Sequence, residues 1–488
     1  MNFIPQVREA ASALPNTMSN SNAYSIAAAE KNSSLHRIVI VGGGAGGLEL
    51  ATKLGNKIGN KVGNKVGNKA GSNVSKTGAA SIVLVDRSPS HLWKPLLHEV
   101  AAGSMDANTH QTDYVAQARW HNFEFQQGEL CGLDRVNKCI SVAAVVDEVG
   151  EEILPARLLP YDTLVLAIGS MTNFFGVPGA EEHAIALDAV SQAENFRRRL
   201  IYACMRAQGK LDKTPGASGE RPRVDVVIIG AGATGVELSA ELRNTAEFFG
   251  AYGLHQLDGQ RDIHLSIVEA GPRILGPLPE RVATETAILL EKMNIQVLTN
   301  ERVTQIEPNA VLTASGKNLR ADLIVWAAGI KVAPVLAEIG LPVNRLGQVP
   351  VLQTLQTEID PDIFAIGDCA SCAWPEQNAM VPPRAQAAHQ QADAVFKAIR
   401  CRLANKPLAN FRFTDHGSLI SLGRFNTVGN LMGKLTGSTM LVEGLLARLL
   451  YVSLYRAHLM AVHGLMRMVL DTLAQWLRGK TVPRIKLH

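Results

Sequence analysis

The sequence has no run of about twenty uncharged apolar residues, so it carries no ordinary transmembrane helix. Its six cysteines in 488 residues are too few for a secreted disulfide scaffold. It lacks a strong charge of either sign. The formal net charge of +4 is too mild to argue for a nucleic-acid partner. Residues 1–34 are rich in Ala, Asn and Ser and show no periodicity or compact apolar segment behind positive charge. They read as a mobile tail rather than a secretory signal. The full chain of 488 residues is 47% hydrophobic and 19% charged, a globular or membrane-associated composition long enough for two or three domains.

Two stretches carry the clearest pattern. Ile38 to Val41 is a β-branched run that reads as a buried parallel strand, and it breaks into Gly42, Gly44 and Gly47 ahead of a helical run. Val226 to Ile229 repeats the strand, and Gly230, Gly232 and Gly235 repeat the GxGxxG spacing. The first glycine allows the tight turn and the second lets a pyrophosphate approach the backbone. The third lets helix and strand pack, and the phosphates meet amides at the helix N-terminus. Each copy is followed by an apolar run ending in an acid, Asp86 in the first and Glu269 in the second. Such an acid accepts bonds from an adenosine ribose and disfavours a 2′-phosphate. Two units imply two dinucleotides.

Between the first helix and the second strand lie four Gly-Asn-Lys repeats. They are too glycine-rich to hold a helix and read as a basic surface loop over 55–80. Pro95 fixes a turn that brings Lys94 near a flavin ring, although an ordinary proline turn explains the spacing equally well. Residues 210–222, rich in Gly, Pro, Ser and Lys, read as a linker. Strands ending at Gly169 and Gly329 close the two units, and a strand then delivers Asp368 to a glycine turn, where a carboxylate can bond a ribityl hydroxyl. The first domain is therefore split: 35–209 and 331–405 flank a second domain over 223–330. Cys369 and Cys372 form a CxxC, but no second pair or nearby histidine completes a metal site, so they read as small buried thiols. Gln386 and Gln390 share a helix face, with His389 three residues from Gln386. Two neutral amides and an imidazole suit a flat carbonyl ligand such as a quinone; a capped surface helix is the plainer alternative.

From Leu445 to Leu477 the pattern is that of one helix. With Arg448 as origin, Arg456, His463, Arg467, Asp471 and Arg478 fall in a sector of about 140°, His458 falls outside it, and Leu and Met cover most of the rest. A basic face opposite a Leu/Met face lies in a membrane interface, and Lys480, Arg484 and Lys486 would favour anionic lipid. Burial on the protein or in a dimer is the competing reading. Residues 406–488 are assigned to this C-terminal membrane-attachment region.

The segments Val41–Ala51, Trp93–Ala101, Val325–Gly329, Ala365–Ala370 and Ala385–Gln390, with the tail Arg484–His488, resemble the bacterial single-subunit type II NADH dehydrogenases. The resemblance runs from about His36 to the last residue and leaves out the N-terminal tail and the repeat insert. It implies an α/β fold of two Rossmann-like dinucleotide-binding domains, like glutathione reductase, with a C-terminal amphipathic helical membrane-attachment region. It implies non-covalent FAD, NADH as donor and a membrane quinone such as ubiquinone as acceptor, without proton pumping and without a metal. It also implies peripheral attachment to the cytoplasmic face of the cell inner membrane, often as a homodimer.

By motif match, Gly42, Gly44, Ala45, Gly46, Gly47, Asp86, Arg87, Lys94, Gly169 and Asp368 would hold FAD. Gly230, Gly232, Gly235 and Glu269 would hold NADH, with Gly329 beside the cofactors. Gln386, His389 and Gln390 would lie at the quinone, Gln386 also touching the flavin, and Glu237 would face the nicotinamide–flavin region as a proton relay. A soluble disulfide reductase or a sulfide:quinone oxidoreductase of the same fold would need redox cysteines near the flavin, and Cys131 and Cys139 are not so spaced. A non-catalytic, membrane-bound flavoprotein would hold FAD without bleaching on NADH addition.

Overall fold

In the computed structural model, residues 35–59, 80–213, 221–249, 254–423, 427–432 and 439–478 are described. The N-terminal tail, the repeats beyond Gly59 and the cations Lys480, Arg484 and Lys486 lie outside them. The chain begins with β1 (His36–Val41), α1 (Ala45–Ile58) and β2 (Ala80–Asp86). A short helix α2 (Leu97–Ala102) precedes β3 (Glu124–Gln127), β4 (Thr163–Leu166) and β5 (Met171–Thr172). Then come β6 (Ile185–Ala186), α3 (Val190–Lys213), β7 (Val224–Ile229), α4 (Ala233–Ala246), β8 (Ile263–Val268) and β9 (Ile295–Leu298). The chain continues through β10 (Leu323–Trp326), β11 (Ile330–Lys331), β12 (Ile363–Ala365) and α5 (Ala385–Leu403). It ends with β13 (Gly417–Ser421), β14 (Thr427–Met432), β15 (Thr439–Glu443), α6 (Gly444–His463) and α7 (Leu465–Arg478).

The first parallel sheet has the order β12-β4-β1-β2-β3 and the second the order β6-β10-β7-β8-β9. The centre of each is the predicted strand. Ile38, Ile40, Leu84, Leu164 and Val165 are fully buried in the first, as is Ile228 in the second. Each such side chain contributes about 1.5–3 kcal/mol by burial. Strand β12, from late in the chain, pairs parallel with β4 of the first sheet. The two crossings between domains run side by side, since Met171–Thr172 pairs antiparallel with Ile330–Lys331.

Several expected boundaries move. Strand β6 joins the second sheet and Ala193, Phe196 and Leu200 of α3 lie in its core, so the chain enters the second unit well before residue 210. Helix α3 runs to Lys213, into the expected linker. Helix α1 runs to Ile58, so the first Gly-Asn-Lys repeat is helical after all. A Cβ on Gly55 would sit 2.0 Å from the His121 carbonyl oxygen, so the glycine allows α1 to abut the helix Tyr114–His121. That packing outweighs the low helix propensity.

The C-terminal segment is also not one helix. It starts with the antiparallel sheet β13-β14-β15, whose Ile420 enters the second core, and the helix breaks at Gly464, where φ is +80°. Three members of the polar sector meet neighbouring side chains. Gln117 Nε2 donates to His463 Nδ1 at 2.6 Å, Arg456 donates to Thr472 at 2.9 Å, and the Arg467 guanidinium lies 3.8 Å from the Trp120 ring centre. Leu465, Met466, Leu470, Leu473 and Leu477 face outward instead, each more than half exposed.

Candidate active site: two glycine cradles and a ring-lined wall

Both glycine motifs form the turn that their spacing predicts. Gly42 and Gly230 have φ +103°, and each amide donates 2.8 Å to the strand carrying the acid, at Val85 and Val268. A Cβ on Gly47 would lie 1.9 Å from Gly42 O, and one on Gly235 2.0 Å from Gly230 O, so both third glycines are demanded by helix–strand packing. At Gly44 and Gly232 a Cβ would meet nothing within 4 Å, leaving open space at the N-terminus of α1 and of α4. That is the geometry a pyrophosphate needs.

The acids close these turns alike. Asp86 accepts from the Gly43 amide at 2.6 Å and from Ser88 at 2.8 Å. Glu269 accepts from Ala231 at 2.8 Å and from Gly271 at 2.7 Å. A carboxylate has about four acceptor positions, so each retains capacity for ribose hydroxyls. The remaining first-cradle residues also converge. Asp368 accepts from Ser170 Oγ at 2.6 Å, and Lys94 Nζ donates to Ser170 O at 3.0 Å and to Asp188 at 2.8 Å. Gly169, with φ +70°, adjoins Ser170 and faces open space. Ala45 and Gly46 open α1, Gly46 against Ala388 of α5. Arg87 points away, 71% exposed beside Glu129. At Gly329 a Cβ would strike the Phe175 ring at 2.3 Å, so this glycine answers a packing need.

The amides of Gln386 and Gln390 are engaged with chain 414–417. Gln386 donates to Asp415 and Gly417 O, both at 3.1 Å, and accepts from the His416 amide at 3.1 Å. Gln390 donates to Thr414 O at 2.8 Å and accepts from its amide at 2.9 Å. Both side chains thus tie α5 to chain 414–417. Their neighbour Gln391, which periodicity does not single out, is buried and accepts from the Gly367 amide at 2.6 Å. His389 turns the other way and pairs with Glu49 of α1. Cys369 and Cys372 are buried thiols pushed up to about 11 by that burial.

Glu237 is buried, accepts from the Ser421 amide at 3.0 Å and lies 3.7 Å from His98. Burial, with the nearby Glu99 and Glu241 charges, pushes its carboxyl up to about 8. Burial beside Glu241 pushes Glu99 to about 8 as well, while burial holds His98 down at about 4 and therefore neutral. Helix α6 covers this region with aromatic and histidine rings. Trp93 stacks on Tyr455 at 5.6 Å and on His458 at 5.7 Å, and His458 Nε2 is 3.0 Å from His91 Nε2. Burial holds His91 near 4 and His458 well below the usual histidine range. Trp93 Nε1, Tyr451 Oη and His458 Nδ1 are buried without hydrogen-bond partners. Glu99, Tyr451 and His458 were missed by sequence reasoning, because what joins them is the return of the C-terminus onto α2. The sole sequence signal was a histidine at 458 outside the polar sector.

Residues 36–392 match the family model described as pyridine nucleotide-disulphide oxidoreductase. The chain is 40% identical to the type II NADH:quinone oxidoreductase of Haemophilus influenzae, over 93% of this chain and 100% of that one. The chain belongs to the type II NADH:quinone oxidoreductases. Its match to the Mycobacterium tuberculosis enzyme is 25% over 90% of this chain and 87% of that one. Among solved structures it resembles NDH2 from Plasmodium falciparum in complex with NADH, with TM-score 0.72 at 19% identity over 92% of this chain and 100% of that chain. The Aquifex aeolicus sulfide:quinone oxidoreductase, at TM-score 0.64 and 18% identity, shares the fold over 88% of this chain and 92% of that one. The oxidoreductase therefore uses NADH, quinone and FAD, and the two glycine cradles with their acids fit two dinucleotides. No helix among the described residues is long and apolar enough to cross a membrane.

Proposed function

We propose that the oxidoreductase binds FAD over the 42–47 cradle and NADH over the 230–235 cradle, and that quinone reaches the flavin along the wall made by Trp93, α5 and α6. FAD, when bound, supplies a carrier that accepts a hydride and releases two electrons, which is the chemistry this reaction needs. The chain's own contribution is position and proton supply. Asp86, Asp368 and Lys94 orient one dinucleotide and Glu269 the other. Glu237 and Glu99 remain protonated acids to near pH 8 beside the junction of the two domains. The observation that carries the quinone placement is the set of buried, unpartnered polar atoms, Trp93 Nε1, Tyr451 Oη and His458 Nδ1. A carbonyl acceptor would satisfy a donor there, and leaving a buried donor unmet costs about 1–3 kcal/mol.

The outward apolar side chains of α7 support peripheral attachment to the membrane that holds the quinone, on the cytoplasmic face of the inner membrane, where the net positive charge of the chain favours anionic lipid. A homodimer covering the same face is the competing outcome; size in detergent and flotation with anionic vesicles separate the two. Tyr451→Phe and Trp93→Phe test the quinone wall: the first keeps the ring and removes the donor, and the second removes the donor while leaving a smaller aromatic ring. Re-oxidation by a short-chain quinone should slow about tenfold while reduction by NADH in anaerobic stopped flow keeps its rate. Equal slowing of both half-reactions, or of neither, would reject the placement.

A further inference from the structure

The reaction NADH + H⁺ + quinone → NAD⁺ + quinol consumes one proton from water beyond the hydride. Helices α1 and α5 pack closely where Gly46 meets Ala388, with a Cβ on Gly46 only 3.1 Å from Ala388 O. Each helix presents an i,i+4 pair at that contact, Glu49 with Lys53 and His389 with Asp393. The pairs interlock. His389 Nδ1 meets Glu49 Oε2, and Lys53 bridges Glu49 and Asp393. Glu49 is 3% exposed, Lys53 26%, His389 25% and Asp393 53%, so the ladder runs from a buried acid to water. At its inner end the His389 ring lies 5.3 Å from His458, whose ring stacks on Trp93.

We propose that Glu49 is a positioning residue that makes His389 the donor of this proton, with Lys53 and Asp393 setting how strongly it does so. This rests on the placing of quinone at the Trp93 wall. The His389 Nδ1–H bond to Glu49 fixes the orientation of the ring, as a buried carboxylate does for a general acid–base histidine. His389 Nε2–H then breaks and a quinone O–H forms, leaving neutral imidazole still bonded through Nδ1–H to Glu49. Water on the exposed edge of His389 restores the proton. Two contacts hold Glu49 ionised: the His389 bond and the Lys53 ammonium both favour its carboxylate against burial. The other groups facing the pair are Asp393 on α5, His458 and His463 on α6, and His91; burial keeps these three histidines below the usual histidine range.

The two charged neighbours make opposite predictions. In Glu49→Gln the carboxylate is gone, so the alkaline limb of quinone turnover should move down by about one pH unit, with about tenfold lower turnover above it. In Lys53→Gln a cation is gone, so the limb should move up. The rate of reduction by NADH and the flavin content should hold in both. Should Glu49→Gln fail to retain FAD, Lys53→Gln (limb up) and the exposed Asp393→Asn (limb down) decide the matter. Rates scaled equally at every pH, or an unmoved limb, would overturn the role of Glu49. If His389→Gln itself re-oxidises with quinone at the normal rate, it is the placing of quinone that fails; if His389→Gln slows while the charge variants leave the limb in place, only this inference fails.

Discussion

Glu49 and Glu237 occupy the same place in the two repeats, two residues beyond the third glycine, and they end in opposite states. Both are buried. The residue four further on is Lys53 in the first helix and Glu241 in the second. Lys53 and His389 draw Glu49 below the ordinary glutamate value, whereas Glu241 and Glu99 add to burial and lift Glu237 to about 8. One motif thus yields a fixed anion on one side and a proton-bearing acid on the other. The difference lies in which charges the fold gathers one helical turn away.

The cradles differ in the same manner. Tyr114 donates to Gly43 O at 2.8 Å and its hydroxyl sits 2.3 Å from where a Gly43 Cβ would be, while the matching Ala231 carries a Cβ without difficulty. Gly46 is buried under α5, and the matching Thr234 is exposed. The first cradle is walled in, as suits a resident cofactor. The second is open, as suits a substrate that enters and leaves.

Three substitutions probe that contrast, in falling order of effect. Gly235→Ala drives a Cβ to 2.0 Å from Gly230 O and should abolish NADH turnover, by about a hundredfold or more, while flavin absorbance per protein holds. The matching Gly47→Ala should cost the flavin itself. If Gly235→Ala also loses flavin, the cradles are not independent. Next, Glu269→Arg should lower kcat/KM for NADH about tenfold and raise it for NADPH, because the acid that accepts ribose hydroxyls becomes a partner for a 2′-phosphate. Unchanged selectivity would show that Glu269 is not the ribose acid.

The mildest variant is Glu241→Lys, which makes the second repeat resemble the first. It should pull Glu237 down and shift the alkaline limb of turnover below pH 8 by about one unit. Stability gives an independent reading. The folded chain holds the Glu237 proton up to about pH 8, whereas the ordinary value is 4.5, so the native state binds more protons between these limits and loses stability as pH rises through them. In Glu237→Gln the fall in Tm across that window should be shallower. A slope equal to that of the unaltered chain would place the raised group elsewhere.

What the sequence by itself determined was everything built from near neighbours. The strand–glycine–helix turns, the placing of Asp86 and Glu269 at the ends of the second strands and the glycine turn at Asp368 were all legible, because each depends on spacing within about fifty residues or on a repeat of the same pattern. Gln386, His389 and Gln390 were legible as one helix but not in their partners, since chain 414–417 and α1 reach them only in three dimensions. The sheet β13-β14-β15, the break at Gly464 and the partners of the polar C-terminal sector could not be read from a helical pattern, because that pattern is blind to which face another element covers. Tertiary structure alone decided the protonation of Glu49 and Glu237 and the burial of Trp93, Tyr451 and His458 together. A pKa answers to charges and water brought near by folding, and the C-terminal helix meets His91 and Trp93 across more than three hundred residues of chain.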